Sequence, residues 1–215
     1  GSNRYKEFIS YVKEHAVSKE KVKEDKDYQD EKEAVLYTLD EKDVIQWGEP
    51  CNNYRFLVQA EDVIRDLKKK GYQMKKISEK KRNTVEIQKY GSILTTFKTV
   101  EHYQMTENIN LGLVKDSIND DVIQLVVYRS NESAADLDDA AVDAGVSAAD
   151  FQKKDREDLK EFVSSMWRRV KSEKTANFLF NENLEIIIQE YENTGNAFFI
   201  VPLEFAGDSP YYWPQ

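Results

Sequence analysis

The side chains with the greatest capacity for chemistry are few in this chain and lie far apart. His15 and His102 are the only histidines and Cys51 is the only cysteine, so neither a cysteine-based zinc cage nor a paired-histidine metal site can form. His102 lies between Glu101 and Tyr103 on a predicted strand, where a packed or surface histidine is more common than a general base. We therefore assign no catalytic residue, metal ligand or cofactor from these side chains.

Short motifs for nucleotide or acyl chemistry are missing from the sequence. The chain has no P-loop, no dinucleotide-binding glycine motif and no G-x-S-x-G. Glu86 and Lys89 stand one residue further apart than the E-x-K pair found in sheets of metal-dependent nucleases, and a cross-strand salt bridge would explain both residues. The stretch 136–139 offers carboxylates to a divalent cation, but EF-hand spacing is missing. The motifs leave open whether the protein is an enzyme and favour a binding function.

A run of basic residues lies between positions 68 and 82. Against one acidic residue, Glu79, this run carries a net charge of +7, although the whole chain carries −9. A helix end and a hairpin could bring these side chains to one surface that binds phosphates, with Tyr72 or Tyr90 stacking on bases. A solvated, lysine-rich sheet edge is the plainer interpretation. The residues that would contact nucleic acid are Lys68, Lys69, Lys70, Lys75, Lys76, Lys80, Lys81 and Arg82.

The segment 116–150 is the acidic counterpart of that run, with a net charge of −8. Such a field attracts a basic protein partner and raises its association rate, whereas the plainer interpretation is a solvated loop and helix face. The aromatic stretch 209–215 would add an anchor if it is exposed, or would cover a sheet edge if it folds back. The residues predicted to bind a partner are Asp136, Asp138, Asp139, Asp143 and Trp213.

Two function hypotheses follow from this charge pattern. The leading one is a non-enzymatic binding or regulatory protein that engages a protein partner through the acidic segment 116–150, aided by the aromatic C-terminal stretch. The alternative is a nucleic-acid-binding protein, or a metal-dependent phosphodiesterase, that uses the lysine-rich segment 68–82. Both hypotheses require that opposite charges gather on separate surfaces of the folded chain.

Apolar periodicity predicts an α+β fold, with a mostly antiparallel sheet packed by an amphipathic helix over residues 148–172. The helix is indicated by apolar residues at helical spacing, namely Leu159, Phe162, Val163, Met166 and Val170. Alternating residues predict strands near 85–88, 93–103, 122–128, 184–188 and 197–205. A first hairpin turn is expected at 80–83, and Pro202 places the last strand at an edge, because proline cannot donate to a ladder.

The N-terminal third suggests a soft boundary. Residues 1–33 are predicted to be a helical extension followed by a charged spacer, and residues 34–215 a single α+β domain. Tyr5, Phe8 and Val12 form part of the apolar stripe of the first helix, and the charges of 18–33 suit a solvated helix or a flexible spacer. Further along, Asn53 is expected to cap a helix that ends near Gly71.

One local pattern has the offsets of a helix-turn-helix. Ala141 would pack between two helices, Gly145 would make the turn and Phe151 would anchor the second helix. The neighbouring aspartates would then face phosphate, so a simple helix–glycine–helix corner is favoured.

The compartment is inferred from few residues. No apolar stretch approaches the ~18 residues of a membrane span, and the single thiol is typical of a reducing compartment. We therefore expect a cytoplasmic protein without a membrane span. The start, Gly1-Ser2, is typical of a protease scar, which leaves secretion open.

Overall fold

The computed structural model describes residues 2–23, 33–47, 55–89, 91–130, 136–149, 153–173, 175–181, 184–191 and 195–202. These residues form five helices and nine strands. In chain order they are α1 (Ser2–His15), β1 (Ser18–Lys23), β2 (Glu33–Thr38), α2 (Glu41–Trp47), α3 (Ala60–Lys69), β3 (Lys75–Gln88), β4 (Ile93–Gln104), β5 (Ile109–Asp116), β6 (Val122–Arg129), α4 (Leu137–Ala148), α5 (Lys153–Glu173), β7 (Thr175–Asn181), β8 (Leu184–Tyr191) and β9 (Gly195–Pro202).

Sheet pairing is antiparallel from β1 to β2, from β2 to β3, from β5 to β6 and through the strands β6, β9, β8 and β7. The β2–β3 register runs from Ala34 opposite Gln88 to Thr38 opposite Thr84. This arrangement confirms the predicted α+β class with a mostly antiparallel sheet. No helix within the described residues is both long and apolar enough to cross a membrane.

The chain divides into two compact units. Unit 1 comprises Gly1–Cys51, Lys81–Thr99 and Asp116–Asn119. Its strand order is β1-β2-β3-β4, to which β3 and β4 each contribute only part of their length. Its core consists of buried apolar residues from α1, α2, the strands and the position after β2, which contact one another. They are Val12, Tyr37, Leu39, Val44, Val85 and Phe97.

Unit 2 comprises Asn52–Lys80, Val100–Lys115 and Asp120–Gln215, with the strand order β3-β4-β5-β6-β9-β8-β7. Its main core lies where α3, α4 and α5 meet the sheet. Leu125 and Val127 of β6 belong to this core, whereas Val126 between them packs in a second cluster with Ile187 and Phe199. Both faces of β6 are therefore buried, as the alternation of side chains along a strand requires.

Helix α5 confirms the predicted amphipathic helix, although it begins at Lys153 instead of residue 148. Leu159, Val163 and Met166 are fully buried in the unit 2 core, and Phe162 packs against it. Helix α1 likewise confirms the predicted N-terminal helix, with Val12 buried. The apolar stripe was sufficient in both cases because its period of 3.6 residues is specific to a helix.

The prediction of a charged helix or spacer after α1 is wrong over residues 18–23, which form β1. This strand pairs with β2 alone and ends the strand order of unit 1. At such an edge, charged side chains remain in water while the backbone pairs. The rest of the predicted spacer, residues 24–32, lies outside the described residues, and the predicted boundary at residue 33 stays a prediction.

The hairpin turn predicted at 80–83 is also wrong, because β3 runs without interruption from Lys75 to Gln88. After β3, Gly91 has a φ of 89° and its N–H donates to the carbonyl of Gln88 at 2.9 Å. A run of lysines has no intrinsic preference for a turn, whereas glycine adopts positive φ without strain. The basic segment is therefore strand where a turn was expected.

Strand β9 is not the edge that Pro202 predicted. It lies between β6 and β8, and β7 ends the order instead. Proline is tolerated because the β6–β9 register ends at Ile200, so that Pro202 lies beyond that ladder and opposite Leu184 of β8. Similarly, α3 begins at Ala60 with Gln59 as its N-cap residue, and the predicted cap Asn53 lies outside the described residues.

Replacing Gly145 with alanine is expected to raise the free energy of unfolding by about 0.5–1 kcal/mol, since glycine is poorly suited to a helix interior. Gly145 lies within α4 and so makes no turn between helices. A Cβ there would meet Leu159 at 3.5 Å, Leu184 at 3.8 Å and Ile200 at 3.9 Å, which are ordinary contacts. Urea denaturation would measure the change.

Gly71→Ala is the matched control for that substitution. Gly71 has a φ of 98° and open space around it, so alanine there should lower the free energy of unfolding by about 1 kcal/mol through backbone strain alone. A loss of stability in Gly145→Ala as large as that in Gly71→Ala would contradict the expected accommodation.

Candidate functional site

The lysine-rich segment begins in the last turn of α3. Lys68 and Lys69 close this helix and Lys70 caps it, and all three are exposed. Gly71 then turns the chain, and the N–H of Tyr72 donates back to the carbonyl of Leu67 at 3.1 Å. Positive side chains suit this end of a helix, where the peptide dipoles leave partial negative charge.

The segment continues into the first half of β3, where every residue from Lys75 to Lys81 is exposed. Burial resumes at Asn83, and β2 pairs with β3 only from Thr84 to Gln88. Within unit 2, residues Lys75–Lys80 are the first strand of the order, and β4 is their neighbour among the described strands. Their polar sequence fits that position, because a strand without cover on either face gains nothing from apolar side chains.

Some of these cations pair with nearby carboxylates. Lys70 Nζ lies 3.0 Å from Asp66, and Lys76 Nζ lies 3.1 Å from Glu79 and 3.6 Å from Glu101. In unit 1, Lys81 Nζ lies 2.6 Å from Glu41. Lys68, Lys69 and Lys75 form no salt bridge with any other residue that the structure describes. The basic side chains of unit 2 are called the basic surface below, namely Lys68, Lys69, Lys70, Lys75, Lys76 and Lys80.

Tyr72 does not supply the stacking ring that the sequence suggested. Its hydroxyl donates to Asp143 Oδ2 at 2.5 Å. Burial raises the pKa of Tyr72 well above its usual range, and the hydrogen bond to Asp143 raises it further. The side chain is thus held at the α3–α4 contact, and Tyr90 lies outside the described residues.

The acidic helix α4 places its aspartates against α5. Asp139 lies 2.9 Å from Lys160, and Asp143 accepts hydrogen bonds from Arg156 at 2.8 and 3.2 Å. Asp143 is also only 8% exposed, because Tyr72 and Arg156 cover it. These two carboxylates hold two helices together, which is a structural role that the sequence did not indicate.

The other predicted partner-binding residues are less enclosed. Asp136 begins α4 as its N-cap with a φ of 69° and is exposed, and Asp138 accepts a hydrogen bond from Ser164 at 3.2 Å. Trp213 lies outside the described residues. The structure therefore brings the four aspartates onto one helix but buries one of them, and their role in binding stays a prediction.

Carboxylates earlier in the acidic segment also have internal partners. Asp121 lies 3.2 Å from Arg55, and Asp120 lies 3.1 Å from Lys115. Asp116 is fully buried and accepts the N–H of Ile118 at 2.8 Å. The segment 116–150 thus includes carboxylates that are paired or buried, whereas Lys68–Lys70 and Lys75–Lys81 are exposed throughout.

Among the described residues of unit 2, Glu101 is the most deeply buried ionisable side chain, and sequence reasoning missed it. It is 3% exposed; Lys115 Nζ lies 2.6 Å from it, and the hydroxyl of Tyr103 donates to it. Burial alone would raise the pKa of Glu101, but the hydrogen bonds from Lys115 and Tyr103 and the charge of Lys76 outweigh burial and lower it. The position of Glu101 within a predicted strand was the sequence signal that could have indicated a buried, paired carboxylate.

His102 points away from this group and is half-buried, with Nδ1 2.8 Å from the hydroxyl of Tyr128. Burial lowers the pKa of His102. The described residues contain no cluster of three or more His, Cys, Asp or Glu side chains that could hold a metal ion. The described residues thus present a charged surface, and His102 on β4 is a packed histidine that contacts Tyr128.

No family model, no curated protein and no solved structure matches the chain.

Proposed function

We propose that the chain is a binding protein that engages an acidic protein partner through its basic surface. The observation that carries this proposal is the uninterrupted exposure of Lys75–Lys80 together with the three exposed lysines at the end of α3, all in unit 2. Exposed cations of one sign raise the local concentration of an oppositely charged partner and speed its association.

Charge pairing favours this surface over the acidic one. Asp120, Asp121, Asp139 and Asp143 already face cations of the same unit, so a basic partner would have to compete with those contacts. Lys68, Lys69 and Lys75 have no such competitor among the described residues. A single ion pair between exposed charges contributes little binding free energy, so several such pairs must form together.

The apolar residue on this surface favours a protein over a nucleic acid. Ile77 is exposed between the lysines of β3, and it offers a contact for an aliphatic side chain. Binding to single-stranded nucleic acid draws much of its strength from bases stacked on aromatic rings, and Tyr72 is turned toward Asp143. A nucleic acid would rely here on phosphate contacts alone.

The test is charge reversal of the lysines that lack a salt bridge. The triple variant Lys68→Glu, Lys69→Glu, Lys75→Glu is expected to bind poly-L-glutamate about tenfold more weakly than wild type at low salt, since each exposed pair contributes about 0.5 kcal/mol. Titration followed by fluorescence anisotropy, repeated at rising salt, would give the affinity and its salt dependence.

The control variant is Lys6→Glu, Lys13→Glu, Lys42→Glu, which makes the same change in net charge at exposed positions of α1 and α2. Equal weakening in both variants would overturn the basic surface as the site. Binding of oligo-dT, lost only in the first variant, without binding of poly-L-glutamate, would assign the surface to nucleic acid instead.

A further inference from the structure

We propose that the acidic partner is taken up as an added β-strand along β3 at Lys75–Glu79. The proposal rests on the proposed function, and it goes further by assigning the partner an extended conformation and a defined line of contact. The feature behind it is the edge of β3 that faces away from β4 over these residues of unit 2, called the open edge below.

The open edge follows from the strand order. Within unit 2, β3 is the first strand of the order and β4 is its neighbour. No described strand of unit 2 pairs with Lys75–Glu79 on the side that faces away from β4. A strand directs backbone N–H and C=O groups to both sides, so such an edge is a template for another chain.

The dimensions suit one additional strand. The stretch Lys75–Glu79 is already extended within β3, so pairing would require little ordering of this chain. Its length is close to that of a typical strand, about five residues. Main-chain hydrogen bonds would then supply affinity, and the side chains along β3 would select the partner.

The side chains define what the added strand must carry. On one face of β3, Lys76 favours a carboxylate opposite it, and on the other face Ile77, which is 56% exposed, favours a β-branched or other apolar neighbour. A strand that alternates acidic and β-branched residues satisfies both faces. Cross-strand pairs of these kinds stabilise a sheet by about 0.2–1 kcal/mol each. A parallel, in-register copy of the same edge would set lysine against lysine, whereas an antiparallel copy centred on Ile77 would set Lys75 opposite Glu79. The exposed lysines that the basic surface adds around this edge favour an acidic strand over a second copy.

The experiment compares two synthetic peptides of equal charge with the wild-type chain. One alternates Glu and Val, and the other has the same sequence with every backbone nitrogen methylated, which removes the N–H groups needed for a ladder. The Glu/Val peptide is expected to bind at least about tenfold more tightly, and to slow hydrogen exchange at amides of Lys75–Glu79 that exchange rapidly in the free chain.

Each other result decides between named alternatives. Equal affinity for both peptides with unchanged exchange would overturn strand addition and leave the proposed function intact. Failure of both peptides and of poly-L-glutamate, with binding of oligo-dT, would overturn both. If, without peptide, hydrogen exchange at Lys75–Glu79 slows as the protein concentration rises, the open edge binds a second copy of the chain instead.

Substitution of the apolar contact gives an independent check. Ile77→Thr keeps the preference for a strand and is expected to weaken binding of the Glu/Val peptide about threefold, in line with one cross-strand pair. Leu94→Thr is the control, since Leu94 on β4 is equally exposed at 55% but lies in unit 1. An effect of Leu94→Thr as large as that of Ile77→Thr would overturn the assignment of the contact.

Discussion

Glu101→Gln is expected to lower the free energy of unfolding by about 3 kcal/mol, because it removes one partner of a buried ion pair and leaves the other charge poorly compensated. Lys115 Nζ lies 2.6 Å from Glu101 and 3.1 Å from Asp120. Asp120 is largely exposed, so its charge is screened and replaces little of the lost interaction. Urea denaturation at neutral pH would measure the change.

Acid titration gives the same prediction a second readout. The pKa of Glu101 lies below its ordinary value, so its ionised form is favoured by folding. That contribution is present above the pKa of the unfolded chain, about 4.3, and is lost as the pH falls through the lower pKa of the folded state. The stability difference between wild type and Glu101→Gln should therefore shrink on acidification.

Glu107→Gln is the control for this substitution, since Glu107 is exposed in the turn after the same strand. It should change the free energy of unfolding by less than about 0.5 kcal/mol. If Glu101→Gln behaves like Glu107→Gln at every pH, the pairing of Lys115 with Asp120 is sufficient by itself.

Asp143→Ala is expected to cost about 2–3 kcal/mol of unfolding free energy. The substitution removes the acceptor of both the Tyr72 hydroxyl and the Arg156 guanidinium, and unsatisfied buried donors are expensive. Arg156 is partly exposed and recovers some hydration, which keeps the expected cost below that of a fully enclosed pair.

Asp139→Ala on the same helix is the control that tests the effect of burial. Asp139 also bridges α4 to α5, through Lys160, but both side chains are exposed to a large extent. The exposed pair should cost only about 0.5 kcal/mol. Asp139 also lies in the first turn of α4, where the helix dipole favours a carboxylate, so a larger cost for Asp143→Ala would reflect its burial. Equal costs would show that Asp143 is not held more firmly than Asp139 and remains available to a partner.

The parts of the fold that were predictable are those whose signal is local. The stripe of Leu159, Val163 and Met166 specifies a helix by spacing alone, and the alternation of Leu184, Ile186 and Ile188 specifies a strand. Strand order could not be predicted in this way, because the placement of β9 between β6 and β8 depends on contacts between residues far apart in the sequence. Pro202 could therefore not identify the edge.

The candidate site was predictable in composition but not in geometry. The lysines of 68–82 were recognisable, yet β3 continues through Lys80 as far as Gln88, and the positive φ that follows it lies at Gly91. In the sequence the aspartates of α4 were interpreted as one acidic face, because their partners Arg156 and Lys160 belong to the next helix. Charge runs show where charge occurs along the chain, whereas pairing depends on tertiary contacts.

The place of β9 in the sheet has a consequence for biosynthesis. Leu125 of β6 pairs with Ile200, so a ribosome that has completed β6 must still make α4, α5, β7 and β8 before that ladder can form. Until then β6, whose residues are largely buried in the finished sheet, has unpaired backbone N–H and C=O groups along the edge that β9 later occupies. Nascent chains that stall in this interval are therefore the species most exposed to aggregation and to capture by chaperones.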